Sequence, residues 1–517
     1  MATDPQPPTP PDSTDHAAVR LDKLRQIEAL GFDPWGQRFD GHRPLAEIRT
    51  LEPNHFDDAS PNGPKVRAAG RVVRHRTGGK LHFLEIQDQS GRIQLMVRLN
   101  KIGPLEWKVL NLLDLGDHIG VDGEFGKTKT GELTIQVEKL TFLTKSLEPH
   151  PKDVFGIGDM EYRLRHRYLD MIYTPETMRR VLQRVSIIRT IRNFLDRQGY
   201  LEVETPVLQS IASGAAARPF NTEHNALGIP LVLRIALELP LKRLLVGGLE
   251  KVYEIGRVFR NEGISPKHNP EFTMLELYQA YGDLFTMMEL TEQLIVSCVD
   301  IVIATQTPFH NESRMERNDE RVIEHGEHTI NFSPPFQRAK YADLFTEHVG
   351  ANLFDEVAVR NRAIELKMPL KAKDGTPKDH DVLVNDLFSE HVEDKLIGPV
   401  FVYDYPAALC PLTKRKREEP RLAERFELYV RGMELANAYT ELNDPITQEA
   451  TFSKQLAGQN DEDSMAKMDH DFIRALRHGM PPAGGLGIGI DRLVMLLTNT
   501  QTIRDVILFP LLRPEAQ

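Results

Sequence analysis

Three separate segments of the sequence carry residues that could together handle a phosphorylated nucleotide. The first, "RVFRNEGISPKHNPEFTMLE" (257–276), is a charged stretch between two apolar, strand-like runs, so its middle is predicted to be a hairpin loop. Arg260 closes the first strand, and its planar guanidinium can bridge a carboxylate and a phosphate. Phe272, Glu276 and Tyr278 share one face of the second strand, which offers a ring for stacking and a carboxylate for a cation. Taken alone, the segment could equally be a solvent-facing charged hairpin.

The second segment, "AGGLGIGIDRLVMLLTN" (483–499), places Gly485, Gly487 and Gly489 at a spacing of two. Glycines at this spacing clear one face of a strand for a flat group, unlike the GxGxxG turn of a dinucleotide-binding helix. Arg492 follows at the start of an apolar helix, where it could stack on a purine or pair with a phosphate.

The third segment, "RFELYVRGMELANAYTELND" (425–444), reads as two strands joined at Arg431-Gly432. Its acids Glu427 and Glu434 are candidates to hold Mg²⁺, which prefers carboxylates together with substrate phosphates. Three further residues share one strand face: Asn437, Tyr439 and Glu441. Glu434 has the opposite parity, so the sequence predicts a β-bulge near residues 434–437 if all are to face one cleft. Each acid alone would more often be a surface charge, and it is the convergence of three segments that favours a site.

The charge distribution predicts one basic module in an acidic chain. The 517 residues carry a formal net charge of −11, and 40% of them are hydrophobic, enough for two or three cores. Between Lys65 and Arg98, eight basic residues face two acidic ones, a local net of +6. This pattern suggests a polyanion docked at a defined place, although a solvated strand face is the plainer alternative.

Several protein classes are disfavoured by the sequence. The two cysteines, Cys298 and Cys410, lack the spacing of a disulfide framework or a Cys-type zinc site. The N-terminal stretch has no signal-peptide character, and no run reaches the roughly 18 apolar residues of a membrane span. We therefore expect a cytoplasmic protein without membrane contact.

The positioning elements fall into successive regions. Residues 17–31 have helical spacing with Gly31 as a C-terminal cap, and five short strands within 66–144 fit an OB-type barrel. Residues 305–335 are polar and aperiodic, which suggests a surface insertion. The predicted regions are a disordered tail (1–16), a helical extension (17–62), an OB-fold domain (63–145), a linker (146–164) and a mixed catalytic domain (165–517).

From about residue 17 to 514 the chain closely resembles the class II lysyl-tRNA synthetases. The carriers of the resemblance are "GYLEVETPVL" (199–208), "FRNEGIS..HNPEFTMLE" (259–276) and "GLGIGIDRL" (485–493), which look like that family's motifs 1, 2 and 3. "SGAAARPF" (213–220) and "ELANAYTELND" (434–444) resemble stretches of its amino-acid pocket. The resemblance implies an α+β fold with a six-stranded antiparallel sheet flanked by helices, an N-terminal OB anticodon-binding domain, and a homodimer packed through motif 1.

The resemblance also assigns roles residue by residue. It implies Arg260 and Arg492 as the catalytic residues. It implies an ATP site of Arg260, Glu262, His268, Phe272, Gly489 and Arg492, with Mg²⁺ on Glu427 and Glu434. It implies a lysine site of Gly214, Glu238, Glu276, Tyr278, Asn437, Tyr439 and Glu441, where Glu441 and Tyr278 would meet the ε-ammonium. In the basic module it implies anticodon contacts from Arg76, Phe83, Gln94 and Glu132.

Two departures from the family pattern affect the pocket. The usual "PELYLK" is "LELPLK" (237–242), which places Pro240 close behind Glu238. Ala436 and Ala438 flank Asn437 where glycines are common, and they could narrow the pocket.

The expected activity is ATP-dependent ligation of lysine to tRNA(Lys) through a lysyl-adenylate. An aspartyl- or asparaginyl-type synthetase is the nearest alternative, but a pocket with Glu276 and Glu441 would repel an acidic side chain. A protein-lysylating relative would lack the OB domain. A noncatalytic RNA-binding protein on the same scaffold would have lost Arg260, Arg492 or the paired glutamates, all of which are present.

Overall fold

The computed structural model describes residues 13–52, 54–55, 63–149, 158–215, 217–305, 321–372, 375–456 and 468–515. The chain divides into two compact units, Met1–Gly156 and Ile157–Gln517. Among the described residues, no helix is both long and apolar enough to cross a membrane.

The first unit is a β-barrel with three helices. Its strands are β1 (Asn54–His55), β2 (Lys65–Gly78), β3 (Leu81–Gln87), β4 (Arg92–Arg98), β5 (His118–Lys127) and β6 (Leu133–Thr144), and its helices are α1 (Ser13–Ala29), α2 (Leu45–Arg49) and α3 (Pro104–Leu112). The strand order is β1-β5-β2-β3-β4-β6, and β5 also pairs with β6. This extra pairing closes β2 to β6 into a five-stranded barrel, as the sequence predicted.

Alternating burial builds the barrel core. Along the first eight residues of β2 and along β3 every second residue is buried, and most of these buried residues are apolar or glycine. Ile27 of α1 and Ile48 of α2 belong to this same core. The predicted helical extension and the OB domain therefore share one hydrophobic core.

Two predicted boundaries need correction. Helix α1 begins at Ser13, inside the stretch predicted as a disordered tail, and ends before Gly31, whose φ of +83° suits the predicted cap. The predicted linker 146–164 contains most of a short helix that starts at Met160. This helix forms because the Asp159 carboxylate accepts hydrogen bonds from two backbone N–H groups of its first turn.

The second unit contains the remaining elements. Its helices are α4 (Met160–Arg165), α5 (Arg167–Tyr173), α6 (Pro175–Arg197), α7 (Glu238–Val246), α8 (Leu284–Thr305), α9 (Tyr341–Val349), α10 (Glu356–Glu365), α11 (His380–His391), α12 (Pro445–Leu456), α13 (His470–Arg477), α14 (Ile490–Leu497) and α15 (Ile503–Val506), with 3₁₀ turns at Glu393–Lys395 and Ala407–Leu409. Its strands are β7 (Leu201–Glu202), β8 (Leu208–Gln209), β9 (Asn221–His224), β10 (Ile229–Leu233), β11 (Lys251–Phe259), β12 (Glu271–Ala280), β13 (Val322–His325), β14 (His328–Asn331), β15 (Gln337–Lys340), β16 (Val400–Pro406), β17 (Leu422–Val430), β18 (Met433–Thr440) and β19 (Ala483–Gly489).

The main sheet has the order β15-β16-β17-β18-β19-β12-β11-β7. The six strands from β16 to β11 pair antiparallel throughout, while β15 and β7 add short parallel edges. The predicted six-stranded antiparallel sheet is thus the centre of an eight-stranded one. Helices α6, α8 and α14 contribute buried apolar residues to the core that includes this sheet.

The predicted bulge lies in β18. Leu428 pairs with Ala436 and Tyr429 with Glu434, so Leu435 has no partner on β17. The extra residue shifts the side-chain parity, and as a result Glu434 and Asn437 both line the same cleft.

The interpretation of 305–335 as a surface insertion is wrong for its C-terminal part. Strands β13 and β14 form a hairpin, and the side chains of Ile323, Ile330 and Phe332 are buried in the main core. Residues 306–320 lie outside the described residues. Short strands with only one or two inward residues give a periodicity too weak to read from sequence.

Candidate active site

A cleft of about 680 Å³ is lined by strands of the main sheet. Its walls come from β12, β18 and β19, from the start of α7, and from the loop between β11 and β12. The three segments singled out in the sequence meet here because β19 pairs with both β12 and β18. Residues far apart along the chain thereby face one cavity.

Arg260 lies at the mouth of the motif 2 loop beside an aromatic platform. Its guanidinium carbon lies 5.3 Å from the centre of the Phe272 ring, and its Nε donates to the Ile235 carbonyl at 3.4 Å. Burial lowers the pKa of Arg260, opposed chiefly by the nearby Glu276 carboxylate. The group remains a cation at neutral pH, and its outer nitrogens are available to an anion in the cleft.

His268 and Arg492 meet across the cleft. Arg492 Nη2 donates to His268 Nε2 at 3.2 Å, and His268 Nδ1 lies 2.8 Å from Ser265 Oγ. Because a guanidinium can only donate, Nε2 must accept, and the imidazole proton lies on Nδ1. Burial and the neighbouring Arg492 lower the pKa of His268, which favours this neutral form. Glu262 also lines the cleft.

Of the four glycines of β19, the three at a spacing of two, Gly485, Gly487 and Gly489, differ in the space that surrounds them. A Cβ at Gly485 would collide with Oε1 of Glu441 and lie 2.5 Å from the Tyr278 ring. At Gly487 and Gly489 a Cβ would meet its neighbours at ordinary contact distances of 3.5 Å or more. Only Gly485 is therefore required by close approach, while the other two leave the cleft surface open, as predicted for a flat ligand.

The acidic pair predicted to bind Mg²⁺ is divided between two environments. Glu434 lines the cleft, and desolvation together with Glu427 raises the pKa of Glu434 to about 7. Glu427 is buried, where it accepts hydrogen bonds from Tyr405 at 2.9 Å and Tyr429 at 2.5 Å and pairs with Arg425. Burial is the larger cause of this raised pKa and repulsion from Glu427 the smaller one, and a bound divalent cation would offset both. Within the described residues, no group of three or more His, Cys, Asp or Glu side chains is arranged to hold a metal ion.

The far end of the cleft is rich in carboxylates and phenols. Tyr439 donates to Glu238 Oε2 at 3.0 Å, and Tyr278 donates to Glu276 Oε2 at 3.5 Å. Burial and the nearby Glu238 raise the pKa of Glu276 to about 8. Such a site favours a cation, because a bound positive charge would stabilise the ionised carboxylates.

Glu441 is buried behind the residues that line this end of the cleft. Its side chain is fully buried, does not line the cleft, and forms an ion pair with Lys242, a residue that the sequence analysis did not single out. Desolvation raises the pKa of Glu441 to about 8 even though Lys242 opposes the shift. Its Oε1 faces the gap left by the missing side chain of Gly485, which does line the cleft.

The remaining predicted pocket residues line the cleft. Asn437 does so from β18, and its Oδ1 accepts from Arg425 Nε at 3.2 Å. Gly214 has a φ of +86°, and a Cβ there would lie 3.2 Å from that of Ala236. This combination of left-handed backbone and close approach explains the glycine.

The two departures from the family pattern have small effects. Glu238 is the first residue of α7, so Pro240 falls in the first helical turn, where a missing N–H breaks no intrahelical bond. Glu238 still lines the cleft. Ala438 is buried in the core and outside the cleft lining, whereas Ala436 contributes to that lining.

The sequence analysis missed residues that support the site from behind. Lys242 and Arg425 are each paired with a predicted site carboxylate, and Tyr405 and Tyr429 hold Glu427. The available signal was Lys242 among the leucines of "LELPLKRLLV" (237–246), four residues after Glu238, since a buried lysine requires a partner.

On the barrel, strand pairing places three of the four predicted anticodon residues, Arg76, Phe83 and Gln94, on one face. Arg76 pairs with Phe83 across β2 and β3, and Gln94 on β4 pairs with Glu85, two residues from Phe83. Phe83 is half-buried, so it is not the enclosed core residue that was its plainer alternative. Gln94 donates to Thr134, and Glu132 lies two residues before that threonine. Stacking and polar groups on one barrel face are typical of single-strand readers.

Comparison with known proteins identifies both parts of the chain. The family model for class II tRNA synthetases (D, K and N) matches residues 159–513, and the model for the OB-fold nucleic acid binding domain matches residues 66–143. The lysine–tRNA ligase of Moorella thermoacetica is 46% identical over 504 residues, covering 97% of this chain and 99% of the relative. The lysine–tRNA ligase of Bacillus cereus strain AH187 is 45% identical over 504 residues, covering 96% of this chain and 97% of the relative.

Proposed function

The chain belongs to the class II lysine–tRNA ligases, and from that premise we propose that its cleft forms lysyl-adenylate from lysine and ATP before transfer to tRNA(Lys). The observation that carries this assignment is the polarity of the cleft. An arginine and an aromatic platform, Arg260 and Phe272, lie at one end, and buried carboxylates lie at the other. A zwitterion with a cationic tail fits between them.

In the first step, the lysine carboxylate attacks the α-phosphorus of ATP, and the bond to the β,γ-diphosphate breaks to release pyrophosphate. Arg260 binds the carboxylate and the α-phosphate, and Phe272 stacks under adenine while Glu262, His268 and Gly489 border the nucleotide. Arg492 covers the nucleotide from the opposite side. Catalysis rests on alignment and charge neutralisation, so none of these side chains becomes covalently attached.

Glu427 and Glu434 would hold Mg²⁺, which would supply neutralisation of phosphate charge. Arg425 forms an ion pair with Glu427. When Mg²⁺ binds, the Glu427 carboxylate would have to contact both Arg425 and the metal ion.

In the second step, a 3′-terminal ribose hydroxyl of the tRNA attacks the acyl carbon and AMP leaves. The OB-fold barrel selects the tRNA through its outer face, with Phe83 stacking a base and the polar groups Arg76, Gln94 and Glu132 reading edges. This division of labour matches the two separate units of the chain.

The pocket selects lysine through its carboxylates. Gly214 and Glu238 take the α-amino group, Asn437 and Tyr439 line the aliphatic stem, and Glu441 with Tyr278 meets the ε-ammonium. Glu276 borders the pocket. An aspartate side chain would bring a further negative charge against these acids, and an asparagine side chain would leave them without a cation.

A homodimer packed through motif 1 is part of the proposal. Apolar side chains in and near this motif are exposed in the single chain, among them Leu201 at 52%, Leu208 at 50% and Val185 at 49%. Exposed apolar side chains on a surface are often covered by a partner. Sedimentation at micromolar concentration should give twice the chain mass.

The deciding experiment is amino-acid-dependent exchange of pyrophosphate into ATP, with lysine, ornithine, asparagine and aspartate offered separately and tRNA left out. Exchange with lysine alone supports the reaction and the pocket. Exchange with asparagine or aspartate would retain the fold but overturn the pocket assignment, and absence of exchange with all four would contradict the adenylate mechanism.

A further inference from the structure

Lys242 is a fully buried lysine at the back of the amino-acid pocket. It lies on α7, one turn after Glu238, and its Nζ is 2.6 Å from Glu238 Oε1. It also forms an ion pair with Oε2 of Glu441, and it lies 5.9 Å and 5.6 Å from the ring centres of Tyr278 and Tyr439. One internal ammonium thus joins the two carboxylates assigned to the two amino groups of the substrate.

The pairing leaves each carboxylate one oxygen for another partner. Glu238 Oε2 is directed to the cleft side, where it accepts from Tyr439. Glu441 Oε1 is buried and has no hydrogen-bond partner among the described residues, and it faces Gly485 at the cleft wall. An unpaired buried carboxylate oxygen is costly, which points to a donor supplied by the ligand.

Two roles for Lys242 can be distinguished by its position. It could occupy the place of the substrate ammonium and be displaced, or it could hold the carboxylates from behind while the substrate enters from the cleft. Lys242 does not line the cleft, whereas Glu238, Tyr278 and Gly485 do. The internal ammonium is therefore on the far side of the carboxylates, and the second role fits.

We propose that Lys242 is a positioning and specificity-determining residue of the lysine site, which holds Glu238 and Glu441 from behind, supplies the buried positive charge that balances them and leaves Oε1 of Glu441 for the substrate ε-ammonium. The inference rests on the proposed pocket assignment. Lys242 itself does not touch the substrate. It affects the charge and the orientation of Glu238 and Glu441, which do.

The charge balance explains the need for an internal cation. Glu238, Glu276 and Glu441 approach one another from α7, β12 and the end of β18, with the phenols of Tyr278 and Tyr439 between them. Burial alone would lower the pKa of Lys242, but Glu238 and Glu441 raise it, so the ammonium stays charged. Desolvation and the other carboxylates raise the pKa of Glu441, and the Lys242 ammonium opposes this rise.

The test is Lys242→Met, which keeps the volume and removes the charge. We expect the KM for lysine in pyrophosphate exchange to rise on the order of tenfold or more, because a buried charge network has lost a partner, while the KM for ATP stays within about twofold. In the pH profile of kcat/KM for lysine, the rise on the acidic side should also move to higher pH by about one unit. Without the Lys242 charge, the Glu441 carboxyl would lose its proton only at higher pH. A merely structural role would affect both substrates and leave this rise in place.

Lys378→Met is the matched control. Lys378 forms a mostly buried ion pair with Asp386 at 2.6 Å, outside the cleft lining, so its loss should leave both KM values unchanged. An unchanged or lower KM for lysine in Lys242→Met would overturn the proposal, and a lower value would identify Lys242 as a competitor of the substrate. If Lys242→Met does not fold, Lys242→Gln is measured instead, with the same expectations.

Glu441→Gln separates failure of the inference from failure of the pocket assignment. A raised KM for lysine in Glu441→Gln with a normal Lys242→Met would overturn the role of Lys242 alone. A normal KM in Glu441→Gln would overturn the pocket assignment, and with it the inference.

Discussion

At the residue scale, the site depends on a few residues whose side-chain position or size is restricted by their neighbours. Arg260 is held by the Ile235 carbonyl and the Phe272 ring, so its position exists before any ligand binds. Gly485 is the one point of β19 where a side chain would collide with the pocket. Such preorganised groups are where single substitutions have the largest effect.

Arg260→Ala should lower lysine-dependent pyrophosphate exchange by roughly 10²–10³-fold or more, because the developing charge at the α-phosphate loses its nearest cation. Binding of tRNA, measured by filter retention, should stay near normal. Arg257→Ala is the control, since Arg257 forms only an exposed pair with Glu271. Near-normal exchange by Arg260→Ala would refute its assignment.

Gly485→Ala should destabilise the C-terminal unit by about 1–3 kcal/mol, because the new methyl group must displace Glu441 or Tyr278. It should also raise the KM for lysine. Gly487→Ala has room for its methyl group and should change stability little. Equal denaturation midpoints for the two variants would show that the close approach at 485 is not restrictive.

Glu276→Gln should make stability less sensitive to pH. The pKa of Glu276 is raised by burial to about 8, so the folded protein holds a proton that the unfolded chain loses near pH 4.5. Stability is therefore lost as pH rises from about 4.5 to 8, and replacing the acid should gain on the order of 1 kcal/mol or more at pH 8.5 and little at pH 5. Denaturant unfolding at both pH values checks this, and a gain of the same size at both would contradict it.

At the element scale, strand pairing does most of the positioning. The β18 bulge at Leu435 turns Glu434 and Asn437 toward one cleft, and β19 places its glycines between β12 and β18. In the barrel, antiparallel pairing brings Arg76 beside Phe83 on the outer face. Strand pairing thus brings residues that are separated along the chain onto one surface.

Phe83→Ala tests the outer face of the barrel. We expect kcat/KM for tRNA in aminoacylation to fall about tenfold, because stacking on one base contributes roughly 1–3 kcal/mol. Pyrophosphate exchange without tRNA should be unchanged, which makes it the internal control. An unaltered kcat/KM for tRNA would remove Phe83 from the recognition surface.

At the scale of the whole molecule, the chain contains two compact units with separate hydrophobic clusters. The barrel core draws only on residues before the unit boundary, including those of α1 and α2. A fragment of residues 1–156 should therefore fold alone, bind an anticodon stem–loop and catalyse no exchange. Cooperative thermal unfolding and stem–loop titration check this, and a fragment without a cooperative transition would contradict independent folding.

The sequence by itself determined the family and the order of the two folds, and it predicted the candidate site residues. The family and the residue roles followed from the resemblance of residues 199–208, 259–276 and 485–493 to known motifs. The period-two glycines, the alternating strand faces and the charged hairpin predicted only a cleft for a phosphorylated nucleotide, because they are local patterns that need no tertiary information. Even the bulge followed from parity, since Glu434 and Asn437 could share a cleft only with an extra residue between them.

Tertiary structure alone decided which charges neutralise one another. The ion pairs of Lys242 with Glu441 and of Arg425 with Glu427 depend on burial and on contacts between elements, and sequence spacing records neither. The β13–β14 hairpin likewise joined the main core through only a few inward side chains. Local patterns set which residues face a cleft, whereas the three-dimensional packing of charge decides how those residues are held and which of their oxygens remain for the substrate.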